Sequence, residues 1–333
     1  MGRQALLIKF SALAIVLFCL SSSARAAGIQ LLNADPSMSG AIWYPCAGKP
    51  EKIALGNLSM AEDFGLMGVK DCPVTRAKLP LIIISHGRGG WFGAHHDTAE
   101  ALADAGFVVA AINHPGDNGS DPSQTDKMSL WASRPTDMVH LLDFLLRDWK
   151  DKAVINADRV GLFGFSLGGY TGLVLSGAHA DFLRLALFCK ETEKGENCER
   201  ARRGDVPASP QSDPRIKVAV LADTAMSFAF TPEGLSGVHI PIQIWRSELG
   251  GNGVSAKGTA LTASQLPGQP DIRIVPAGHF AFLAPCQPKL ATAIPRICTD
   301  MPPGFDRAAF HRDFNASVER FFHQRLIADG ETR

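Results

Sequence analysis

The sequence has no charge bias. Lys and Arg total 33 and Asp and Glu also total 33, so the formal net charge is zero. Without a basic excess, nucleic-acid binding is set aside, and no acidic run marks a solvating tail. No internal repeat and no low-complexity linker interrupts the chain. The cysteines lack zinc-site spacing. One cluster of ligand-type side chains, His95-His96-Asp97, falls on a predicted helix, where adjacent residues point apart. No metal and no cofactor is therefore expected. The apolar run Ser11–Leu20 is too short for a comfortable membrane span.

That run reads instead as part of a secretory leader. Arg3 and Lys9 form a positive n-region and Ala24-Arg25-Ala26 is an A-x-A cleavage site, so residues 1–26 are taken as a signal peptide. Cys19 follows Phe18, which does not fit a lipoprotein anchor, so no membrane anchor is expected after cleavage. The expected location is periplasmic or secreted. Removing Arg3, Lys9 and Arg25 leaves 30 basic against 33 acidic residues, a charge of about −3. Residues 27–333, within a chain that is 46% hydrophobic, suffice for one large domain. Six cysteines remain: Cys46, Cys72, Cys189, Cys198, Cys286 and Cys298. An even number in an oxidising compartment favours disulfides. Many pairings are open; sequential local loops, Cys46–Cys72, Cys189–Cys198 and Cys286–Cys298, are the expectation.

What is present centres on residues 158–175. The apolar strand-like run Val160–Phe165 meets Gly164-Phe165-Ser166-Leu167-Gly168, and a small-residue helical pattern follows. A serine on such a strand-to-helix turn is held strained with its hydroxyl exposed. The glycines let strand and helix pack closely, and the helix aims its N-terminal N–H groups at the site. Around this unit, Gly40–Pro45 reads as a short strand ending at proline, and residues 46–78 as loops with at most one edge strand. Leu79–Ser85 and Phe107–Ile112 are continuous apolar runs, the mark of strands buried on both faces. Helices are expected over 94–105, over Arg134–Trp149 and over Arg307–Leu326, and strands at Ile216–Leu221, Ile240–Trp245 and Ile272–Val275. Strands alternating with helices predict an α/β fold with a mostly parallel central sheet and helices on both faces. Residues 179–214 are charged and Gly-containing, and are expected as a small insertion after the nucleophile helix, a candidate cap.

A serine nucleophile needs a base, and the base an orienting acid. The expected chain order is Ser, then Asp or Glu, then His. His279, just after the last predicted strand, lies at the same sheet edge as Ser166 because parallel strands deliver their C-terminal ends together. Asp223 and Glu248 both follow strands between Ser166 and His279; Asp223 is preferred and Glu248 is the alternative. The oxyanion needs two N–H donors, expected from the backbone of Leu167 and of Arg88, in His86-Gly87-Arg88-Gly89-Gly90. His86, Trp91, His114 and Phe165 are expected to line the pocket, with Phe92 and Phe280 as further apolar candidates.

Together, Trp43-Tyr44-Pro45, Ser85-His86-Gly87-Arg88-Gly89, Asn113-His114-Pro115-Gly116, Gly164–Gly169 and Gly278-His279-Phe280 give the chain a resemblance. It resembles the α/β-hydrolase superfamily, and more narrowly the exported bacterial dienelactone hydrolase-like branch related to platelet-activating-factor acetylhydrolase. The resemblance implies the α/β-hydrolase fold and a serine hydrolase cleaving carboxylic esters of small molecules. In the acetylhydrolases the acid follows an apolar run similar to Leu221-Ala222-Asp223, a second reason to prefer Asp223. Dienelactone hydrolases use a cysteine where this chain has Ser166, so that activity is not implied. The same machinery could serve an acyltransferase, amidase or peptidase. A silent binding protein is disfavoured by the intact Ser166 and His279.

Overall fold

The computed structural model describes residues 25–328, apart from 34, 60–63, 75, 191 and 193. Most of the segment read as a leader thus lies outside the described residues. Ten strands form one sheet: β1 (Arg25–Leu32), β2 (Gly40–Ala47), β3 (Glu51–Ala54), β4 (Gly65–Lys70), β5 (Leu79–Ser85), β6 (Val108–Ile112), β7 (Ile155–Phe165), β8 (Ile216–Ala222), β9 (Ile242–Ser247) and β10 (Asp271–Val275). Their spatial order is β10-β9-β8-β7-β5-β6-β2-β1-β4-β3. From β10 to β6 every neighbouring pair is parallel, while β2 runs antiparallel to both β6 and β1. The helices are α1 (His96–Asp104), α2 (Ser129–Arg147), α3 (Leu167–Leu175), α4 (Glu196–Arg203), α5 (Pro232–Leu235), α6 (Ala256–Gln265), α7 (Pro288–Ala293), α8 (Pro295–Cys298) and α9 (Arg307–His323).

The continuous apolar runs are explained by two cores, one per face. Successive residues of a strand point to opposite faces. Accordingly Ile82, Ile84, Phe163 and Val220 join one core with Phe314 and Val318 of α9. Leu81, Ile83, Leu162 and Leu221 join the other with Leu141 and Leu142 of α2 and Leu173 of α3. All seven residues of β5 are buried.

Two of the strand expectations need correction. The described residues of 46–78 hold two strands where loops with at most one were expected: β3 and β4 pair antiparallel, and their short, mixed burial gave no sustained alternation to read. β2 does not end at Pro45 but runs to Ala47. Its ladder to β6 covers only Gly40–Trp43, so Pro45 lies where β1 alone is paired, and a residue without an N–H is tolerated there. β1 begins inside the segment assigned to the leader, with Ala26 opposite Cys46.

Helix α2 starts at Ser129, upstream of the expected Arg134, which leaves Pro135 inside it. An interior proline removes the hydrogen bond to the carbonyl four residues back. That carbonyl, Trp131 O, accepts instead from Tyr170 Oη at 2.9 Å. The pairs Cys46–Cys72, Cys189–Cys198 and Cys286–Cys298 are bonded, as the local-loop pairing expected.

Candidate active site

Chain geometry at the end of β7 requires glycine at two points. A Cβ on Gly164 would lie 2.2 Å from Gly168 O, and one on Gly168 would lie 1.9 Å from Ser85 O. With both absent, the turn closes tightly and Ser166 takes φ 57°, ψ −116°. A non-glycine residue at positive φ is strained, and here the surroundings enforce it: Ser166 N donates to Ala222 O at 2.9 Å and Ala225 N to Ser166 O at 2.9 Å.

The hydroxyl so placed meets two residues from distant parts of the chain. His279 Nε2 is 3.0 Å from Ser166 Oγ, and His279 Nδ1 is 2.6 Å from Asp223 Oδ2. All three side chains are buried. Because Asp223 is the acceptor at Nδ1, that nitrogen carries the proton and Nε2 is free to accept from the serine. Phe165 stacks on the imidazole, with ring centroids 4.7 Å apart.

The structure brings Asp223, not Glu248, to the imidazole. Asp223 turns at φ 47° and its N–H donates to Trp245 O at 2.7 Å, which directs the carboxylate back toward His279. Glu248 is exposed. Its neighbour Ser247 points inward, and adjacent residues at a strand end face opposite ways. Ser247 escaped the sequence reading altogether. Its N–H reaches Asp223 Oδ1 at 2.9 Å and its hydroxyl reaches Oδ2 at 2.7 Å. Nothing in the local sequence marks it.

Leu167 follows the serine in the chain and Arg88 borders the same cavity, and neither backbone N–H donates to another protein group among the described residues. The loop that carries Arg88 is tied from below. Gly87 O accepts from His86 Nδ1 at 2.7 Å and from Gly90 N at 3.0 Å. In a trans peptide the N–H lies opposite its carbonyl, so these bonds turn the Arg88 N–H the other way. Gly89 N donates to Asp117 Oδ1 at 2.8 Å, Asp117 pairs with Arg134 at 2.5 Å, and Arg134 also donates to His86 O.

The cavity over Ser166 has a volume of about 430 Å³. Trp91, Phe165 and Phe280 line it; His86, His114 and Phe92 do not. The two histidines lie beneath it. His86 Nε2 accepts from His114 N at 3.1 Å, and His114 bonds Asp137 at 2.9 Å and Ser85 Oγ at 2.9 Å. Burial, then the nearby Arg134 cation, pushes both imidazoles well below their ordinary pKa, so each is neutral. Burial also lifts the Asp137 carboxyl to about 7. These groups brace the loop rather than face the cavity.

The described residues of 179–214 do not cover the site either. Their turn packs through Phe182 on Trp131 and through Phe188 on Phe228, Cys189–Cys198 joins α4 to it, and none of the described residues lines the cavity. The outer wall comes from residues 283–297, between the last catalytic-edge turn and α9, tied by Cys286–Cys298. Arg88 and Arg296 are the arginines of the lining, which includes no Asp or Glu among the described residues. Arg296 donates to Asn252 at 3.0 Å and lies 5.5 Å over the Phe280 ring. The members of His95-His96-Asp97 take three separate partners: Phe282 O, Glu100 and His311.

Comparison with known proteins agrees with this architecture. Residues 80–216 match the family model of the alpha/beta hydrolase fold. Over 105 residues, 31% of this chain, the sequence is 31% identical to a probable 2-oxo-3-(5-oxofuran-2-ylidene)propanoate lactonase from a Bradyrhizobium species. That match spans 42% of the lactonase's length. The structure of a ferulic acid esterase from Streptomyces cinnamoneus superposes with a TM-score of 0.60 at 18% identity, covering 92% of this chain and 91% of that one. With a mostly parallel sheet, helices on both faces and a serine on the turn after its central strand, the chain has the α/β-hydrolase fold.

Proposed function

We propose that this protein is a serine hydrolase of carboxylic esters, including cyclic ones, with Ser166 as nucleophile, His279 as base and Asp223 as the orienting acid. The observation that carries the reading is the unbroken chain Ser166 Oγ–His279–Asp223, at 3.0 and 2.6 Å. In the first half-reaction Ser166 Oγ bonds to the ester carbonyl carbon while its proton passes to His279 Nε2. The carbonyl oxygen gains the negative charge and is met by the N–H of Leu167, at the N-terminus of α3, and that of Arg88, in the loop after β5. The intermediate collapses as Nε2 returns the proton to the departing alkoxide. Water, deprotonated by the same nitrogen, then releases the acid from Ser166.

The lactonase and ferulic acid esterase likenesses both point to ester bonds. The aromatic lining favours an apolar or aromatic acyl part, and Arg296 favours neutral or anionic substrates, while the Arg88 guanidinium is paired with Asp126. The dienelactone hydrolase-like branch, with its acetylhydrolase relatives, is our choice within the superfamily, supported by the quoted motifs. The three disulfides support a periplasmic or secreted location. A fluorophosphonate probe tests the chemistry directly. It should label the protein and fail to label Ser166→Ala; labelling that persists in that variant places the nucleophile elsewhere.

A further inference from the structure

A second carboxylate–histidine pair lies behind the turn that carries His279. That 3-10 turn, His279–Phe282, is one short element on the edge of the sheet. Two of its carbonyls are met by ring nitrogens from other parts of the chain. His311 Nε2, from α9, is 2.8 Å from Ala281 O, and His95 Nδ1, just before α1, is 3.1 Å from Phe282 O. Both rings are buried.

The partners of these rings fix where their protons sit. His311 Nδ1 is 2.6 Å from Asp97 Oδ2. Asn315 Nδ2 donates to the same oxygen at 2.8 Å, and Thr98 Oγ1 donates to the amide oxygen at 2.7 Å. Burial by itself would raise the Asp97 carboxyl, but the hydrogen bond and charge of His311, then His96 and Asn315, hold it well below its ordinary range. Asp97 is therefore an ionised acceptor. A carbonyl and a carboxylate both lack a proton to give, so an imidazole between them satisfies both only with a proton on each nitrogen. His95, with one carbonyl partner, is kept neutral by burial, its pKa pushed down to about 3. The other titratable groups on this side are His96 and the Glu100 it bonds at 3.1 Å. From α9, Phe310 and Phe314 press on the His311 ring with centroids 5.5 Å away.

We propose that His311 is a positioning residue: a buried imidazolium, neutralised by Asp97, that grips the Ala281 carbonyl and holds the turn from which His279 reaches Ser166. His311 touches neither the cavity nor the reacting atoms. Its effect passes through the placement of His279, and displacements of the order of an ångström cost about a hundredfold in rate. The inference rests on the hydrolase reading given above.

The test uses the full chain with 4-nitrophenyl acetate, and ring-nitrogen NMR of His311. His311→Ala should lower kcat by about a hundredfold with KM unchanged. His311→Gln should recover much of this, since its amide N–H can still reach Ala281 O. Wild-type NMR should show both His311 nitrogens protonated, and Asp97→Asn should leave one. Wild-type turnover with undiminished kcat in His311→Ala, or a loss confined to KM, overturns the inference alone. So does a glutamine variant no better than alanine. A singly protonated wild-type ring overturns it even if the variants do not fold. No wild-type turnover and no fluorophosphonate labelling would overturn the hydrolase reading instead, and this inference with it.

Discussion

Asp223→Asn is the sharpest perturbation, because the structure dictates how the new amide must sit. Asp223 Oδ1 accepts the Ser247 backbone N–H at 2.9 Å, and a backbone donor cannot reverse its polarity. The amide oxygen of the variant must take that place, which puts its NH2 group at the position of Oδ2. There it faces His279 Nδ1, 2.6 Å from that atom in the native protein. Two donors cannot share the contact, so Nδ1 must give up its proton and Nε2 must carry one. An Nε2 that already holds a proton cannot take another from Ser166. In other serine hydrolases this tautomer reversal costs about ten-thousand-fold in kcat, or about 5 kcal/mol of transition-state stabilisation. The assay is 4-nitrophenyl ester hydrolysis, with thermal unfolding to show that the fold persists. Glu248→Gln is the control, because that side chain is exposed and should leave turnover unchanged. A loss below tenfold in Asp223→Asn, or an equal loss in both variants, would refute the assignment.

Ser247→Ala removes a donor to Asp223 Oδ2 at 2.7 Å and an acceptor of the Gly250 N–H at 3.0 Å, while sparing the backbone bond. Its kcat should fall about tenfold, measured with the same ester, and KM should hold. His95 supplies a pH test. Its folded pKa of about 3 lies below the ordinary 6.5, so the unfolded chain binds the extra proton and stability falls as pH drops from 6.5 toward 3. Urea unfolding across that window should show His95→Asn losing up to about 1.4 kcal/mol per pH unit of the wild-type slope; an unchanged slope would sink this. Arg296 of the lining predicts charge discrimination. A nitrophenyl ester ending in a carboxylate should be cleaved at least as fast as a neutral one of equal length, and Arg296→Gln should slow the anionic ester more.

Much of the sheet was legible because strands buried on both faces must be apolar throughout. Leu79–Ser85 and Val108–Ile112 announce themselves for that reason. The β3–β4 pair did not, since strands of four and six residues with mixed exposure carry no periodicity. The start of α2 was misplaced because Pro135 reads as a first-turn residue. Only Tyr170, 35 positions onward in the sequence, makes its interior position tolerable by occupying Trp131 O.

The site shows the same division for a deeper reason. The turn that carries Ser166 imposes a steric condition that few residues meet: at Gly164 and Gly168 a single carbon would collide with backbone. Such a condition writes itself into adjacent positions and can be read there. Orientation by hydrogen bond imposes no comparable condition on the sequence. The donor to the Ala281 carbonyl could have come from any of several polar side chains on any element packed against the turn; here it is His311, 30 residues away. The ties on the Arg88 loop come likewise from Asp117 and Arg134, whose placement depends on a loop and a helix separated from it in sequence. His86 and His114 show the consequence. Their position after strands is equally compatible with facing the cavity or bracing it from below, and only the partners they find, His114 N–H for one and Asp137 and Ser85 for the other, decide between the two.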